Sequence, residues 1–353
     1  MSQASSTGLT EGLLATPSPS LSASLVERIA REHFAVDGKA CLLTGERDQN
    51  FRLSTDSGTD YIVKVTNPAE DPVVTDFQTQ ALLHIEHSNP TLPVPRLLRA
   101  RDDKPDFTLK GEDGRPMIIR LLTLLPGVPL HKAIHSKGQR RALGIALARL
   151  GLALKDFSHP AAGHFLQWDI KHAAGLRPLL HHIENPEQRH LAEHFLDRFD
   201  EHAAPAMPHL RRQIVHNDLN PYNVLVAAND YERVTGIFDF GDMVETPLIN
   251  DVAIAASYQI SLDGNPVEEI VDFVSAYNLV CPLEPLEIGL LPDLIAARMV
   301  TTVAITNWRA LRYPENRTYI LRNSPAAWNG LARFAELDWN AALDRLAAAC
   351  ERN

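Results

Sequence analysis

The alternation of hydrophobic and polar residues predicts a strand-rich first third of the chain. Apolar residues at helical spacing predict a first helix over residues 21–34. The next three apolar segments, over residues 40–43, 51–54 and 61–65, are separated by turn-rich sequence and predict an antiparallel meander. Lys64 projects from the last of these strands, which is otherwise apolar. A lysine in this setting is a candidate functional residue.

The pattern changes after Pro126 and Gly127, which interrupt the strand-like sequence. Leucines at intervals of four, three and four predict a long helix over residues 139–157. Most of the remaining chain has helical periodicity, including the apolar window over residues 290–305. Two charged residues interrupt that window, which therefore predicts a buried helix and not a membrane span. Only residues 213–240 predict short strands and a hairpin.

These patterns predict an α+β protein with two lobes. At about 150 residues per domain, a chain of 353 residues has length for two domains or for one domain of two lobes. The first lobe is expected over residues 21–125, with an antiparallel sheet, and the second over residues 126–353, with mainly helices. Residues 1–20 are rich in Ser, Thr, Gly and Pro and are expected to form a disordered leader.

Composition and charge narrow the class of partner. Lys and Arg total 34 against 44 Asp and Glu, which gives a net charge of −10. This balance argues against a nucleic acid or an anionic membrane as the main partner and favours a small cationic molecule. The three cysteines are odd in number and far apart, so they predict neither a disulfide framework nor a CxxC metal site. A cytoplasmic protein is expected.

The residues that carry chemistry cluster in two short segments. His216, Asp218, Asn220 and Asn223 lie between two apolar stretches, and Asp239 follows a second apolar strand. Phosphoryl transfer requires a carboxylate that receives the proton of the acceptor hydroxyl, and oxygen ligands that hold Mg²⁺ on the nucleotide phosphates. These residue types therefore indicate a phosphoryl-transfer site.

Spacing supports that interpretation. Asn223 follows Asp218 by five residues, as in the kinase catalytic loop, and Asp239 begins a DFG sequence. Lys64 on its strand would then pair with the α and β phosphates. The alternative is that these Asn and Asp residues serve turns and helix caps, and that Lys64 is a solvated strand residue. His216 is expected to support the loop and not to act as a base.

With these motifs, the chain resembles the aminoglycoside phosphotransferase and choline kinase superfamily over roughly residues 25–340. That superfamily has the bilobal protein-kinase fold, with a small N-lobe built on an antiparallel sheet and a larger, mainly helical C-lobe. Four segments are most similar to the hydroxylysine kinase branch, namely GERDQNF at 45–51, YIVKVTNP at 61–68, DFGDMVETPLINDVAIA at 239–255 and RYPENRTYILRNSPAAW at 312–328.

The resemblance implies roles for particular residues. Asp218 would be the catalytic base, Asn223 and Asp239 the Mg²⁺ ligands, and Lys64 the lysine that pairs with the nucleotide phosphates. The donor would be ATP or GTP. The chain departs from the protein-kinase pattern in its phosphate-binding loop.

Of the glycines in the phosphate-binding loop of protein kinases, this chain keeps only Gly45. Phosphate binding by the backbone amides of this loop is therefore supported by that single glycine. Where the family places a glutamate that pairs with the strand lysine, this chain offers Gln80, whose amide would orient Lys64. Asn217 replaces the glycine usual between the histidine and the aspartate, and Asn tolerates a positive φ if the loop requires one.

Other polar residues are candidates for the acceptor site. Asp242 could be a second metal ligand, a partner of a substrate ammonium group or a helix cap. Asn220 could support the loop or contact the substrate. Asp169 and Asp251 could meet a cationic substrate, although a cap or a surface position is the expected role of each.

The expected activity is that of a small-molecule kinase, with Mg²⁺ and nucleotide bound between the lobes. The favoured acceptor is a hydroxylated amino acid or amino alcohol, with 5-hydroxylysine first. Its ammonium groups would face carboxylates, and its carboxylate would face Arg298 or Arg309. Homoserine, choline or ethanolamine, and an aminoglycoside are the alternative acceptors. A catalytically silent kinase-fold module that binds nucleotide or a partner protein is the alternative from another class.

Overall fold

The computed structural model describes residue 16 and residues 18–45, 47–111 and 114–351. The chain divides into two compact units. The first comprises the described residues up to Pro126 together with Phe157–Ala162, and the second comprises the rest. The predicted leader over residues 1–20 lies largely outside the described residues.

The described part of the first unit contains two helices and a six-stranded antiparallel sheet. The sheet order is β1-β2-β3-β6-β4, and β5 also pairs with β6. The helices are α1, Ala23–Phe34, and α2, Pro72–Ser88. The strands are β1, Lys39–Leu43; β2, Gln49–Ser54; β3, Asp60–Val65; β4, Leu97–Leu98; β5, Phe107–Lys110; and β6, Pro116–Thr123.

Helix α1 begins where its sequence predicts. The Ser22 hydroxyl accepts a hydrogen bond from the backbone N–H of Leu25 at 3.2 Å and caps the helix. Its apolar face, which includes Val26 and Ile29, packs with Phe51 of β2 and Ile119 of β6 in one core. The predicted meander of three strands is confirmed by the pairing of β1 with β2 and of β2 with β3.

Two features of this unit differ from the sequence expectations. The apolar pattern of the sequence predicts a helix over about residues 76–87. Helix α2 begins about one turn earlier, at Pro72, because Asp71 caps it and proline is accommodated in the first turn. Strand β5 was not predicted, since it has only four residues and alternates between half-buried and exposed positions. Strand β6, Pro116–Thr123, agrees with the apolar segment around residues 117–124.

The second unit is mainly helical. Its long helices are α3, Lys137–Leu154; α4, Pro186–Arg198; α5, Leu248–Ser257; α6, Pro266–Val280; α7, Pro285–Arg312; α8, Ser324–Ala335; and α9, Trp339–Glu351. Short helical segments connect them, namely Leu130–Lys132, Ile170–His182, Phe199–Ala203, Ala204–Ala206, Met207–His209, Phe240–Asp242, Pro314–Asn316, Arg317–Ile320 and Leu321–Asn323.

Among the residues described for this unit, five strands form two small antiparallel sheets. The first has the order β10-β9-β7, and the second pairs β11 with β8. The strands are β7, Val128–Pro129; β8, Arg212–Val215; β9, Val224–Ala227; β10, Asp230–Ile237; and β11, Val244–Pro247. Strands β9 and β10 form the predicted hairpin. The α+β class is therefore confirmed.

Helix α7 is the central helix of the second unit. By length and composition alone it could cross a membrane, but 89% of its most apolar window is buried inside the protein. This burial agrees with the predicted buried helix over residues 290–305. Helix α3 packs against α6, and Gly144 of α3 lies so close to the carbonyl oxygen of Phe273 that a Cβ atom would overlap it.

Candidate active site

The loop between β8 and β9 is held by a buried histidine. His216 is fully buried, its Nδ1 atom accepts the backbone N–H of Asp218 at 3.3 Å, and its Nε2 atom donates to the carbonyl of Phe238 at 3.2 Å. Its ring meets the ring of Phe240 edge-on. Burial lowers the pKa of His216 and keeps the ring neutral. The structure therefore gives His216 the expected supporting role.

A second buried side chain fixes the backbone of this loop. Asn217 has a φ of 64°, the left-handed conformation that Asn tolerates, and its N–H donates to Asp251 of α5 at 2.8 Å. Asp251 is 5% exposed, so the expected cap or surface position is wrong. Burial raises its pKa to about 7, against the opposing backbone N–H groups of Asn217 and His216. Sequence spacing gave no signal for this contact.

Asp218 lies at the centre of a hydrogen-bond network. Its Oδ2 atom accepts from the amides of Asn220 at 2.9 Å and Asn223 at 2.7 Å, and its Oδ1 atom accepts from Arg298 at 3.1 Å. Burial raises the pKa of Asp218 to about 7 and Asp242 adds to the shift, whereas Arg298 opposes it. A positioned carboxylate that titrates near neutral pH suits a general base.

Arg298 has a different environment from the one expected. It lies on α7, is 3% exposed, and also donates to the carbonyl of Trp168 and the hydroxyl of Tyr258, each at 3.2 Å. Its guanidinium donates to Asp218 and to these two groups, so the expectation that it faces a substrate carboxylate is not supported by its contacts. It follows Asp218 by 80 residues, and no local pattern links the two.

The donor set around Asn223 suits a divalent cation. Its side-chain N–H₂ donates to the Asp218 carboxylate and, at 3.1 Å, to the Asp218 carbonyl. The amide oxygen must then point away from Asp218, and among the described residues it accepts no hydrogen bond. The backbone N–H of Phe238 donates to the Asn223 carbonyl at 3.0 Å and so anchors the residue before Asp239. Amide oxygens are among the oxygen ligands that divalent cations take in proteins.

Asp239 is exposed and has a φ of 63°, an uncommon conformation for a residue other than glycine. Such a backbone is consistent with a functional position. Within the described ranges, no three His, Cys, Asp or Glu side chains are grouped so that they could hold a metal ion. A divalent ion at Asn223 and Asp239 would therefore complete its coordination with phosphate and water oxygens. Asp242 is partly exposed and close enough to raise the pKa of Asp218.

In the first unit, Lys64 is paired with an unexpected residue. Its Nζ atom lies 3.2 Å from Oδ2 of Asp48, and Oδ1 of Asp48 accepts the backbone N–H of Asn67 at 2.9 Å. Burial alone would raise the pKa of Asp48, but Lys64 and the Asn67 N–H hold it below its usual value. Gln80 donates to Asp76 at 3.1 Å, so the expectation that Gln80 orients Lys64 is corrected.

Gly45 lies where the chain approaches itself closely. A Cβ atom at Gly45 would lie 2.5 Å from the carbonyl oxygen of Asp48, so this turn requires glycine. Helix α2 directs Gln78 to Arg120 at 3.0 Å. A carboxylate that accompanies the strand lysine thus comes from the segment between β1 and β2, for which the sequence predicts only a turn.

Asp169 and Arg309 are two further residues that the sequence predicts for the acceptor site. Asp169 is fully buried, caps the segment Ile170–His182, and contacts Lys171 and Thr246 at 2.8 Å each. Its contacts are those of a structural residue. Arg309 is also buried, and it lies eleven residues beyond Arg298, about 16 Å along α7.

Three features are those of a kinase-like phosphotransferase. A sheet carries a lysine paired with a carboxylate, a loop holds an aspartate and an asparagine, and a DFG segment follows that loop. The family model described as "Phosphotransferase enzyme family" matches residues 41–280, and the chain belongs to this family. The resemblance to this superfamily and the expectation of a phosphotransferase are thereby confirmed.

Curated relatives include hydroxylysine kinases from two vertebrates. The protein of Mus musculus is 25% identical over 317 residues, which cover 84% of this chain and 84% of that protein. The protein of Danio rerio is 25% identical over 331 residues, which cover 90% of this chain and 93% of that protein. The likeness to the hydroxylysine kinase branch is thereby confirmed.

Solved structures share the fold. Amicoumacin kinase hAmiN in complex with AMP-PNP, Ca²⁺ and Ami matches with a TM-score of 0.66 and 14% identity, over 90% of this chain and 96% of that one. A microcompartment-associated aminopropanol kinase matches with a TM-score of 0.64 and 17% identity, over 89% and 98% of the two chains. The kinase-like α+β fold expected from the sequence is thereby confirmed.

Proposed function

We propose that this phosphotransferase transfers the γ-phosphoryl group of a nucleoside triphosphate to the hydroxyl of a hydroxylated amino acid or amino alcohol, with 5-hydroxylysine favoured. One observation carries the transfer chemistry. The hydrogen bond of 2.7 Å between Asn223 and Asp218 joins a candidate base to a candidate metal ligand. The acceptor assignment is supported by the names of the relatives in Mus musculus and Danio rerio.

Asp218 has the central chemical role in this proposal. The acceptor hydroxyl oxygen forms a bond to the γ-phosphorus while the bond from that phosphorus to the bridging oxygen breaks, and the nucleoside diphosphate leaves. The hydroxyl proton passes to Asp218. Asn220 and Arg298 hold the two carboxylate oxygens of Asp218 in place. Positioning of this kind lowers the barrier without covalent chemistry by the protein.

The nucleotide and its metal ion are assigned to the residues that the sequence predicts for them. Mg²⁺ held by Asn223 and Asp239 would neutralise charge on the phosphate oxygens. Lys64 is assigned to the α and β phosphates, with Asp48 holding its ammonium group, and the Gly45 turn is assigned to the same phosphates. The donor is ATP or GTP, and the AMP-PNP and Ca²⁺ in the amicoumacin kinase structure illustrate such a nucleotide and divalent ion in that protein.

The altered phosphate-binding loop and the missing glutamate of α2 favour the alternative of a catalytically silent module. Asp48 weakens the second argument, because it supplies a carboxylate 3.2 Å from Lys64. The alternative acceptors are homoserine, choline or ethanolamine, and an aminoglycoside. Asp242, which lies near Asp218, is assigned to the ammonium group of the acceptor.

An acceptor panel tests the proposal. Purified protein with Mg²⁺ and labelled ATP or GTP is offered hydroxylysine, homoserine, choline, ethanolamine and an aminoglycoside. We expect the highest kcat/KM with hydroxylysine. Turnover of another acceptor but not of hydroxylysine would reject the favoured substrate. Nucleotide binding without transfer to any acceptor would favour the silent module.

A second experiment tests Asp239 as a metal ligand. Asp239→Ala should abolish Mg²⁺-dependent nucleotide binding in calorimetry.

A further inference from the structure

Arg322 lies over two tyrosine rings in the second unit. Its guanidinium carbon is 4.4 Å from the ring centroid of Tyr222 and 4.0 Å from that of Tyr319. Tyr222 in turn stacks on His131, with centroids 4.3 Å apart and an angle of 23° between the rings. Cation–π and stacking contacts of this kind use the faces of the planar guanidinium. They leave its edge for hydrogen bonds.

The edge of Arg322 carries five N–H donors. Among the described residues, none accepts a hydrogen bond from them and no carboxylate forms an ion pair with them, although the side chain is only partly exposed. Arg298 is the contrasting case, because its guanidinium donates to three groups and is buried. Arg298 keeps only a buried Nε–H without a partner, whereas the donors of the partly exposed Arg322 are all open to a bound anion.

Arg322 contacts the loop that carries the proposed base. Tyr222 immediately precedes Asn223, and its backbone N–H donates to Oδ1 of Asn220 at 2.8 Å. The other end of the Asn220 amide donates to Asp218. The backbone of Tyr222, whose ring lies under Arg322, is therefore linked to the carboxylate of the proposed base through the side chain of Asn220.

We propose that Arg322 binds the carboxylate of an amino acid acceptor, and this rests on the proposed function. A guanidinium presents parallel N–H groups that match the two oxygens of a carboxylate, and ring stacking holds its plane in a fixed orientation. Phosphate oxygens of the nucleotide share this chemistry, but Lys64 and the metal ligands are already assigned to them. Arg322 would thus select amino acids over amino alcohols.

The test compares two acceptors and three variants. The acceptors are hydroxylysine and the amino alcohol that keeps its amines and hydroxyl but lacks its carboxylate. Arg322→Gln should raise KM for hydroxylysine about tenfold to a hundredfold, the range for losing a charged hydrogen bond, with kcat and the nucleotide KM unchanged. Arg322→Lys should recover only part of the affinity for hydroxylysine, because an ammonium cannot form two parallel hydrogen bonds with a carboxylate.

The remaining measurements are the controls. The KM for the amino alcohol should be the same in Arg322→Gln and wild type. Arg317→Gln removes an exposed arginine five positions before Arg322 and should change neither acceptor KM. An equal rise in KM for both acceptors, or a rise in nucleotide KM instead, would overturn the proposal.

The outcomes separate this proposal from the proposed function. If wild type prefers an acceptor without a carboxylate, carboxylate binding by Arg322 is rejected while the kinase assignment holds. If no acceptor is phosphorylated, the proposed function fails. Calorimetric binding of hydroxylysine to wild type and Arg322→Gln then decides, since weaker binding by the variant supports the carboxylate contact and equal binding or no binding rejects it.

Discussion

The ammonium group of Lys64 lies 3.2 Å from the carboxylate of Asp48, and both side chains are less than one fifth exposed. Lys64 lies in the middle of the sheet, whereas Asp48 lies in the turn before β2 and is itself held by the backbone of Asn67. A half-buried ion pair with a second hydrogen bond restrains the lysine more firmly than an exposed pair would.

Asp48→Asn is expected to lower kcat/KM for the nucleotide by about tenfold or more, because Lys64 loses the charge of Asp48 beside it. The asparagine can still accept the N–H of Asn67, so the turn should keep its conformation. Asp60→Asn is the matched control, since Asp60 pairs with Arg52 in the same sheet. Steady-state kinetics with varied nucleotide check this expectation, and unchanged constants in Asp48→Asn would contradict it.

Removal of Arg298 should affect the chemical step. In Arg298→Met, Asp218 loses one hydrogen bond to a charged donor, and we expect kcat to fall about tenfold to a hundredfold with nucleotide affinity unchanged. Arg211→Met is the control, because Arg211 also pairs with a buried carboxylate, that of Glu287. The folded fraction of the Arg211→Met protein should keep the wild-type kcat. Equal kcat losses in both variants would show that Arg298 acts only on stability.

Asp251 predicts a pH dependence of stability. The pKa of Asp251 is about 7 in the folded state, above the ordinary value of 3.8. Between pH 3.8 and pH 7 the folded state therefore keeps a proton that the unfolded state has released. This contribution is complete below pH 3.8 and is lost as the pH rises through 7. Asp251→Asn should therefore show a smaller fall in Tm between about pH 5 and about pH 8. Exposed Asp263→Asn should keep the wild-type fall, and an unchanged fall in Asp251→Asn would reject the assignment.

Two glycines of α3 offer a packing test. Gly144→Ala should lower the free energy of unfolding by about 1–3 kcal/mol, because its methyl group would overlap the Phe273 carbonyl. Gly151→Ala in the same helix meets no atom nearer than 3.5 Å and should be neutral or stabilising, since alanine favours helices. Urea unfolding of the two variants measures both values. Equal stability of the two would contradict the close packing of α3 and α6.

Short-range patterns in the sequence predicted the helices, strands and loop spacing that depend on residues close together in the chain. Alternating strands and the spaced leucines of α3 gave the sheet and the long helix. The spacing from Asp218 to Asn223 indicated the loop chemistry. Pro72 was not recognised as the start of α2, because proline ends most helices but is accommodated in the first turn.

The missed contacts are all between residues far apart in sequence. Asp48 reaches Lys64 across a strand pair, Arg298 reaches Asp218 from α7, and Arg322 stacks on Tyr222 from a short segment before α8. Hydrophobic periodicity carries no information about such pairs, because they depend on how the elements pack. Only tertiary structure identified them.

The most direct test of the central claim is the rate of phosphoryl transfer by Asp218→Ala, measured with hydroxylysine and saturating Mg²⁺-nucleotide. We expect kcat to fall by about 10² to 10⁴, the range for loss of a positioned base, while calorimetry shows retained nucleotide binding. Wild-type kcat in this variant would contradict the assignment of Asp218 as the base.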